Sequence, residues 1–176
     1  MSEKTELTQD QTIDYLIKAI VRTDSYLNYS NTKSTVILTV SAAFLTLLAS
    51  NLNSLISNFP EPYALILLKL SLFVIFISLI FAIFLSIKAI TPSTGKSKGY
   101  NTFSFVDINS NYNLTSYEVA CLRECNKENM IKDLSRFHFN LSGSIMQKYK
   151  NQEKSINCII TALAFSLIIL LIYLAK

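Results

Sequence analysis

The residues able to do chemistry in this chain are few and scattered. There is one histidine, His138, and three cysteines, at 121, 125 and 158. Cys121 and Cys125 fall one helical turn apart. Glu118, Glu124 and Glu128 flank them, and neighbouring acids disfavour the thiolate that a nucleophile or metal ligand requires. An odd count with no C-x-x-C pair indicates neither a disulfide framework nor a zinc site. Cys158 lies in an apolar run and reads as a small packing residue. His138 has no partner at motif spacing and reads as a packing or hydrogen-bonding histidine. Gly95-Lys96-Ser97 has the tail of a phosphate-binding loop without its head. Ala89 and Ile90 stand upstream, with Ile90 where the first glycine belongs, and an apolar helix precedes in place of a strand. No catalytic set, metal site or cofactor is indicated, and the expectation is a protein that is not an enzyme.

What must be positioned is therefore a chain of apolar runs. No charge occurs between Lys33 and Glu61. A second apolar run spans Tyr63 to Ile87, with Lys69 near its start, and a third spans Ser155 to Ala175 without a charge. A helix rises about 1.5 Å per residue, so roughly 20 apolar residues cross a bilayer. Hydrophobic residues make up 51% of the chain, and glycine and proline number three each, which predicts an almost wholly helical protein. The fold class expected is an all-α membrane protein. Residues 1–33 form a cytoplasmic amphipathic helix, and 34–90 two transmembrane helices with a short outside turn. Residues 91–154 form a small helical cytoplasmic module, and 155–176 a third transmembrane helix continuing a long rod.

Charge sets the expected orientation. Lys4, Lys18, Arg22 and Lys33 precede the first run, no Lys or Arg lies in 52–62, and nine lie in 91–154. The positive-inside rule places the N-terminus and the long middle segment in the cytoplasm and the C-terminus outside. The polar, mixed-charge start argues against a cleavable signal peptide. A net charge of +4, dispersed along the chain, does not point to nucleic acid.

Local patterns place the helices. Thr8 and Gln11 have capping-box spacing, followed by Ile13, Leu16, Ile17, Ile20, Val21 and Leu27 at helical intervals. Thr115 and Glu118 suggest a second box, with Tyr117, Cys121, Leu122 and Cys125 on the buried face behind it. Met130, Leu134, Phe137, Leu141, Ile145 and Tyr149 predict a helix running into the third span, with Gly143 as its one place to bend. Acids 124, 128 and 133 alternate with Arg123, Lys127, Lys132 and Arg136, as on an exposed helix laced with ion pairs.

The first run also carries Thr35, Thr39, Ala42, Thr46 and Ser50 on one face. Small and hydroxyl residues let membrane helices approach closely. Such a face serves an intramolecular seam, a contact in a homo-oligomer, or the lining of a pore. Ala162 and Ser166 form a shorter version in the third run. The second run, with Phe73, Phe76, Phe81 and Phe84, is bulky all round and is expected to meet lipid.

Three short stretches resemble the membrane effectors of the bacterial Pycsar antiphage systems. Asn31-Thr-Lys33 stands where that family has Asp-x-Lys before a long apolar helix, with Asn in place of Asp. Phe105-Val-Asp107-Ile108 matches an aromatic stretch ending in an acid and Ile. Asp133-Leu-Ser-Arg, then Ile145-Met-Gln-Lys148-Tyr149, match a helix leading into the last span. The resemblance, shared in layout with effectors of the SLATT type, implies an effector that compromises the inner membrane in abortive infection. Its implied trigger is a cyclic pyrimidine mononucleotide, or a sensor protein encoded nearby. It also makes Asn31, Lys33, Asp107, Lys148 and Tyr149 the residues expected to contact ligand or signal. Snorkelling or headgroup contact is the plainer role for Lys33, Arg136 and Lys148. The partners expected are the lipid bilayer and further copies of the chain. The rival function is a membrane-anchored module that recruits a soluble partner. A transporter would place ionisable groups at mid-membrane, and only Lys69 comes near.

Overall fold

A computed structural model of the chain describes residues 7–57, 62–92, 101–124 and 126–174. The turn expected at Asn58–Glu61, the Gly95-Lys96-Ser97 stretch, Cys125 and Lys176 lie outside the described residues. Five helices follow in order: α1 (Gln9–Ser57), α2 (Pro62–Ile90), α3 (Phe105–Asn111), α4 (Leu114–Arg123) and α5 (Lys127–Leu174). No strand occurs among the described residues. Helices α1, α2 and α5 are long and apolar enough to cross a membrane. The all-α membrane class and the long last rod are as expected.

The helix starts have local causes. At α1, Thr8 N–H donates to Gln11 Oε1 at 2.9 Å and Gln11 N–H to Thr8 Oγ1 at 3.3 Å, the reciprocal box expected from the sequence. Pro62 opens α2 at a position where its missing N–H has no helical partner to lose. The box expected at Thr115 is instead at Asn113. Its Oδ1 accepts from Ser116 N–H at 2.8 Å, and its N–H donates to Ser116 Oγ at 2.9 Å. Asn is a stronger N-cap than Thr, and two residues of register follow from that preference. Asn126 performs a similar service before α5, accepting from Glu128 N–H at 3.0 Å.

The chain divides into two compact units, Met1–Tyr29 with Pro92–Met146, and Ser30–Thr91 with Gln147–Lys176. In the first, the start of α1 packs with the 92–146 segment. Thr23 Oγ1 and His138 Nε2 are 3.1 Å apart, the hydrogen-bonding histidine expected. Leu16, Ala120, Leu134 and Ile145 are buried with Asn101, Asp107 and Asp133. Asn101 Nδ2 donates to Asp133 O at 3.0 Å and its Oδ1 accepts from Phe103 N–H at 2.8 Å.

Two expectations for this unit are corrected. The buried residue of α4 is Ala120, and Cys121 and Leu122 are exposed, because the register follows the Asn113 cap. The charged stretch is not one exposed helix. It breaks between Arg123 and Lys127, and Asp133 turns inward to face Arg123 at 3.5 Å and Arg136 at 3.9 Å.

The second unit is a three-helix seam. Apart from Ser71, the buried residues of α2 recur at 68, 72, 75, 79, 82, 86 and 89, alternating steps of four and three. That period of 3.5 is the pattern of knobs-into-holes packing. Leu68, Leu72, Ile75 and Leu79 pack with Ala162 and Ile169 of α5, and Phe44, Leu48 and Leu52 of α1 close over them. Helix α2 is thus not uniformly lipid-facing. Phe73, Phe81 and Phe84 are exposed, as expected, on the side away from its seam. Ala162, fully buried, makes the close approach expected of a small residue.

On α1 the seam belongs to Ser30, Ser34, Ile37 and Ser41. Thr35, Thr39, Ala42, Thr46 and Ser50 are all exposed in the single chain. The Thr35, Thr39 and Thr46 hydroxyls each donate to the carbonyl four residues back, and the Ser50 hydroxyl to Leu47 O, so each is satisfied within its own helix. The intramolecular seam is one register step away from the hydroxyl face, and that face points outward.

Candidate functional site

The apolar seam of the second unit ends in a layer of buried polar side chains. Lys148, Gln152 and Ser155 follow one another at seam spacing on α5, in phase with Ala162 and Ile169. Each ties a different part of the other two helices.

Lys148 is 7% exposed, and its ammonium serves the last carbonyls of α2. Nζ donates to Ala89 O, to Ile90 O at 3.2 Å and, at the limit of reach, to Thr91 O at 3.5 Å. Those carbonyls have no partner within their own helix, and a cation at a helix C-terminus meets the negative end of the helix dipole. Nζ also donates to Asn31 Oδ1 at 2.9 Å, which fastens α1 to the same point. Burial lowers the proton affinity of this ammonium from its usual value. Lys148 precedes the third apolar run by seven residues and is outside it.

One turn on, Gln152 Nε2 donates into α1, with Ser30 O at 2.6 Å, Ser30 Oγ at 2.9 Å and Ser34 Oγ at 2.6 Å. Another turn on, Ser155 Oγ donates to Ala82 O at 2.8 Å and lies 2.9 Å from Ser86 Oγ. Ser30, Ser34, Ser86 and Ser155 are fully buried. Hydrogen bonds between helices in a membrane contribute about 0.6–2 kcal/mol each. A polar layer in an apolar seam fixes register more than it adds strength.

Beside this layer, on the outer side of α1 and α5, is a groove of about 270 Å³ lined by Lys33, Tyr149, Gln152, Glu153, Ile156 and Asn157. The α5 residues 149, 152, 153, 156 and 157 share a face because three- and four-residue steps return to the same side of a helix. Lys33 and Glu153 are exposed, and Gln152 forms the inner wall.

Of the residues expected to contact a signal, Asn31 and Lys148 are hydrogen-bonded to each other, and Lys33 and Tyr149 line the groove. Asp107 belongs to the other unit. It is fully buried in α3, whose N-cap Ser104 accepts from Asp107 N–H at 3.4 Å. The phenol of nearby Tyr112 is raised from its usual value. Burial is the main cause. Arg123 opposes the rise, while Asp133, Glu124 and Asp107 add to it. Gln152, Ser155, Ser30, Ser34 and Ser86 were missed in the sequence. Their signal was present as polar residues in phase with the apolar seam, at 148, 152 and 155 before Ala162.

The comparisons with known proteins decide the family. The Pycsar effector protein domain, PycTM, matches residues 15–175. The chain belongs to the Pycsar effector family. It is 30% identical over 160 residues to the Pycsar effector protein EcPycTM of Escherichia coli, a match covering 88% of this chain and 85% of that protein. No solved structure matches it. Family membership makes the chain an antiphage defence effector, and its three apolar helices make it a protein of the inner membrane in contact with lipid.

Proposed function

We propose that this effector perturbs the inner membrane when a cytoplasmic signal, a cyclic pyrimidine mononucleotide, shifts its three membrane helices between two arrangements. The observation that carries the reading is the polar layer of Lys148, Gln152 and Ser155. It holds α1, α2 and α5 together where the first and third apolar runs begin and the second ends, through hydrogen bonds that can be exchanged without unfolding a helix. Moving a two-state equilibrium from 1:99 to 99:1 takes about 5.5 kcal/mol of differential binding. Inter-helix hydrogen bonds at about 0.6–2 kcal/mol each place the layer on that scale.

In this reading the N-terminus and the 91–154 segment are cytoplasmic and the C-terminus is outside. The protein acts as a homo-oligomer and without a catalytic step. The test is membrane-potential dye uptake in cells carrying the complete defence system during phage challenge. Loss of potential accompanying growth arrest is expected, and Cys121→Ser and His138→Gln retain it. Arrest with an intact potential replaces this reading with a module that recruits a soluble partner.

A further inference from the structure

We propose that the groove lined by Lys33, Tyr149, Gln152, Glu153, Ile156 and Asn157 seats one phospholipid whose headgroup carries both a phosphodiester and a primary ammonium, as phosphatidylethanolamine does. The site stands whatever molecule triggers the effector. The groove holds one charge of each sign. Lys33 comes from α1 and Glu153 from α5, and both are exposed. Neither forms an ion pair among the described residues, so they do not neutralise each other. A zwitterionic headgroup answers both at once. Its phosphodiester accepts from the Lys33 ammonium, and its own ammonium donates to the Glu153 carboxylate. Asn157 both donates and accepts beside them. Tyr149 is an amphipathic ring of the kind enriched where a membrane meets water.

What lies below the groove separates a lipid from a soluble zwitterion. From Ile156, steps of four, three and four along α5 reach Ile160, Leu163 and Leu167, all exposed on the groove's side of the helix. From Lys33, steps of three and four along α1 reach Val36 and Val40, also exposed. Both walls of a polar groove thus continue as apolar tracks into the spans. Lys33 directly precedes the first apolar run, and Asn157 stands two residues past Ser155, where the third begins. That puts the groove at headgroup depth. Its volume of about 270 Å³ is below the ~300 Å³ at which sites for whole small molecules begin. It takes a headgroup and leaves the acyl chains to the tracks.

Such a lipid joins α1 to α5, because its phosphate and its ammonium are held from different helices. Gln152 lines the groove and also donates to Ser30 O, Ser30 Oγ and Ser34 Oγ. The lipid therefore closes from outside the same α1–α5 contact that Gln152 closes from within. Lys150 and Lys154 are exposed on the adjoining face of α5 and attract anionic headgroups. That makes phosphatidylglycerol the competitor to exclude.

The test is lipid retention. Full-length protein, stripped of lipid in detergent, is exposed to an equal mixture of phosphatidylethanolamine, phosphatidylglycerol and phosphatidylcholine. It is then repurified, and its bound lipid is counted by native mass spectrometry. The wild type is expected to keep phosphatidylethanolamine about tenfold over phosphatidylcholine, whose trimethylated ammonium has no N–H for Glu153. Lys33→Ala and Glu153→Gln lose that preference, and the distant surface variant Lys18→Ala keeps it. Glu153→Lys takes phosphatidylglycerol over phosphatidylethanolamine, because two cations then face the groove. Retention of no lipid, or of all three equally, by the wild type overturns the site, and that reading needs no variant. A wild type that prefers phosphatidylglycerol overturns the zwitterion and gives the groove to an anionic headgroup. An unchanged preference for phosphatidylethanolamine in both Lys33→Ala and Glu153→Gln overturns the groove as the place where the lipid sits.

Discussion

Lys148 and Asn31 are 117 residues apart in sequence, and Lys148 Nζ lies 2.9 Å from Asn31 Oδ1. The pairing gives the Asn-x-Lys stretch before the first span a physical role. Asn31 is the side chain through which α1 meets a buried cation that also serves the end of α2. The resemblance implies an Asp at this position in related effectors. An Asp would meet Lys148 with a full negative charge, whereas Asn meets it with an amide oxygen.

Asn31→Asp is therefore expected to strengthen the contact. A hydrogen bond between charged groups is roughly twice as strong as one between neutral groups, so about 1 kcal/mol of added stability is reasonable. Lys148→Ala is expected to cost about 1–3 kcal/mol, because the carbonyls of Ala89 and Ile90 lose their donor in a buried setting. Thermal unfolding in detergent followed by circular dichroism measures both. A lower midpoint for Asn31→Asp would show that the three carbonyls, not residue 31, set the position of Lys148.

Gln152 gives a prediction of rank order. Gln152→Leu removes the donor to Ser30 and Ser34 but fills similar space, and it is expected to cost about 1–2 kcal/mol. Gln152→Glu puts a carboxylate oxygen against Ser30 O, where the amide nitrogen now sits at 2.6 Å. It buries an unpaired charge against an acceptor and is expected to be the less stable of the two. The same unfolding measurement orders wild type, Leu and Glu. A Glu variant as stable as the Leu variant would mean that this part of the seam is open to water.

Gly143 tests the rod. The expected bend site lies inside α5, which is helical on both sides of it. A Cβ built there meets nothing within 4 Å. Glycine in a helix interior costs about 0.5–1 kcal/mol relative to alanine. Gly143→Ala should raise the unfolding midpoint by a corresponding amount. A defence defect in a stabilised Gly143→Ala protein would show that the rod must bend there to act.

Orientation is open to chemical labelling. Cys121 is exposed on α4, in the segment whose nine Lys and Arg argue for the cytoplasm. In a variant carrying Cys125→Ser and Cys158→Ser, an impermeant maleimide should leave Cys121 unmodified in intact spheroplasts and label it after permeabilisation. Labelling before permeabilisation would invert the topology.

The sequence made the three spans and the long rods legible, because apolar runs of that length have few alternatives. The Thr8–Gln11 box was legible for the same kind of reason, since its spacing has one local solution. The seam on α2 was not. When every residue is apolar, Leu68 and Phe73 look alike, and only packing decides which faces a neighbour. The Asn113 cap was obscured by Thr115 and Glu118, a second box-like pair two residues on. The polar layer was half legible. Lys148 and Asn31 were marked by the resemblance to the effector family, but Gln152, Ser30 and Ser34 belong to no motif, and only the phase of the seam places them inside.

The outward hydroxyl face of α1 carries the last prediction. Thr35, Thr39, Ala42 and Thr46 follow steps of four, three and four, the period of a packed membrane helix, yet they are exposed in the single chain. Lipid has no need of that pattern, and a lipid-facing surface tolerates leucine well. Thr39→Leu with Thr46→Leu should leave the unfolding midpoint of the individual chain nearly unchanged, because neither side chain touches the seam. If the face packs against a second copy, the added bulk should hold the two helices apart and shift the assembly in detergent toward smaller species. Sedimentation velocity of the wild type and the double variant reads both outcomes. An identical distribution, with defence intact, would assign the face to lipid and end its candidacy as a subunit contact.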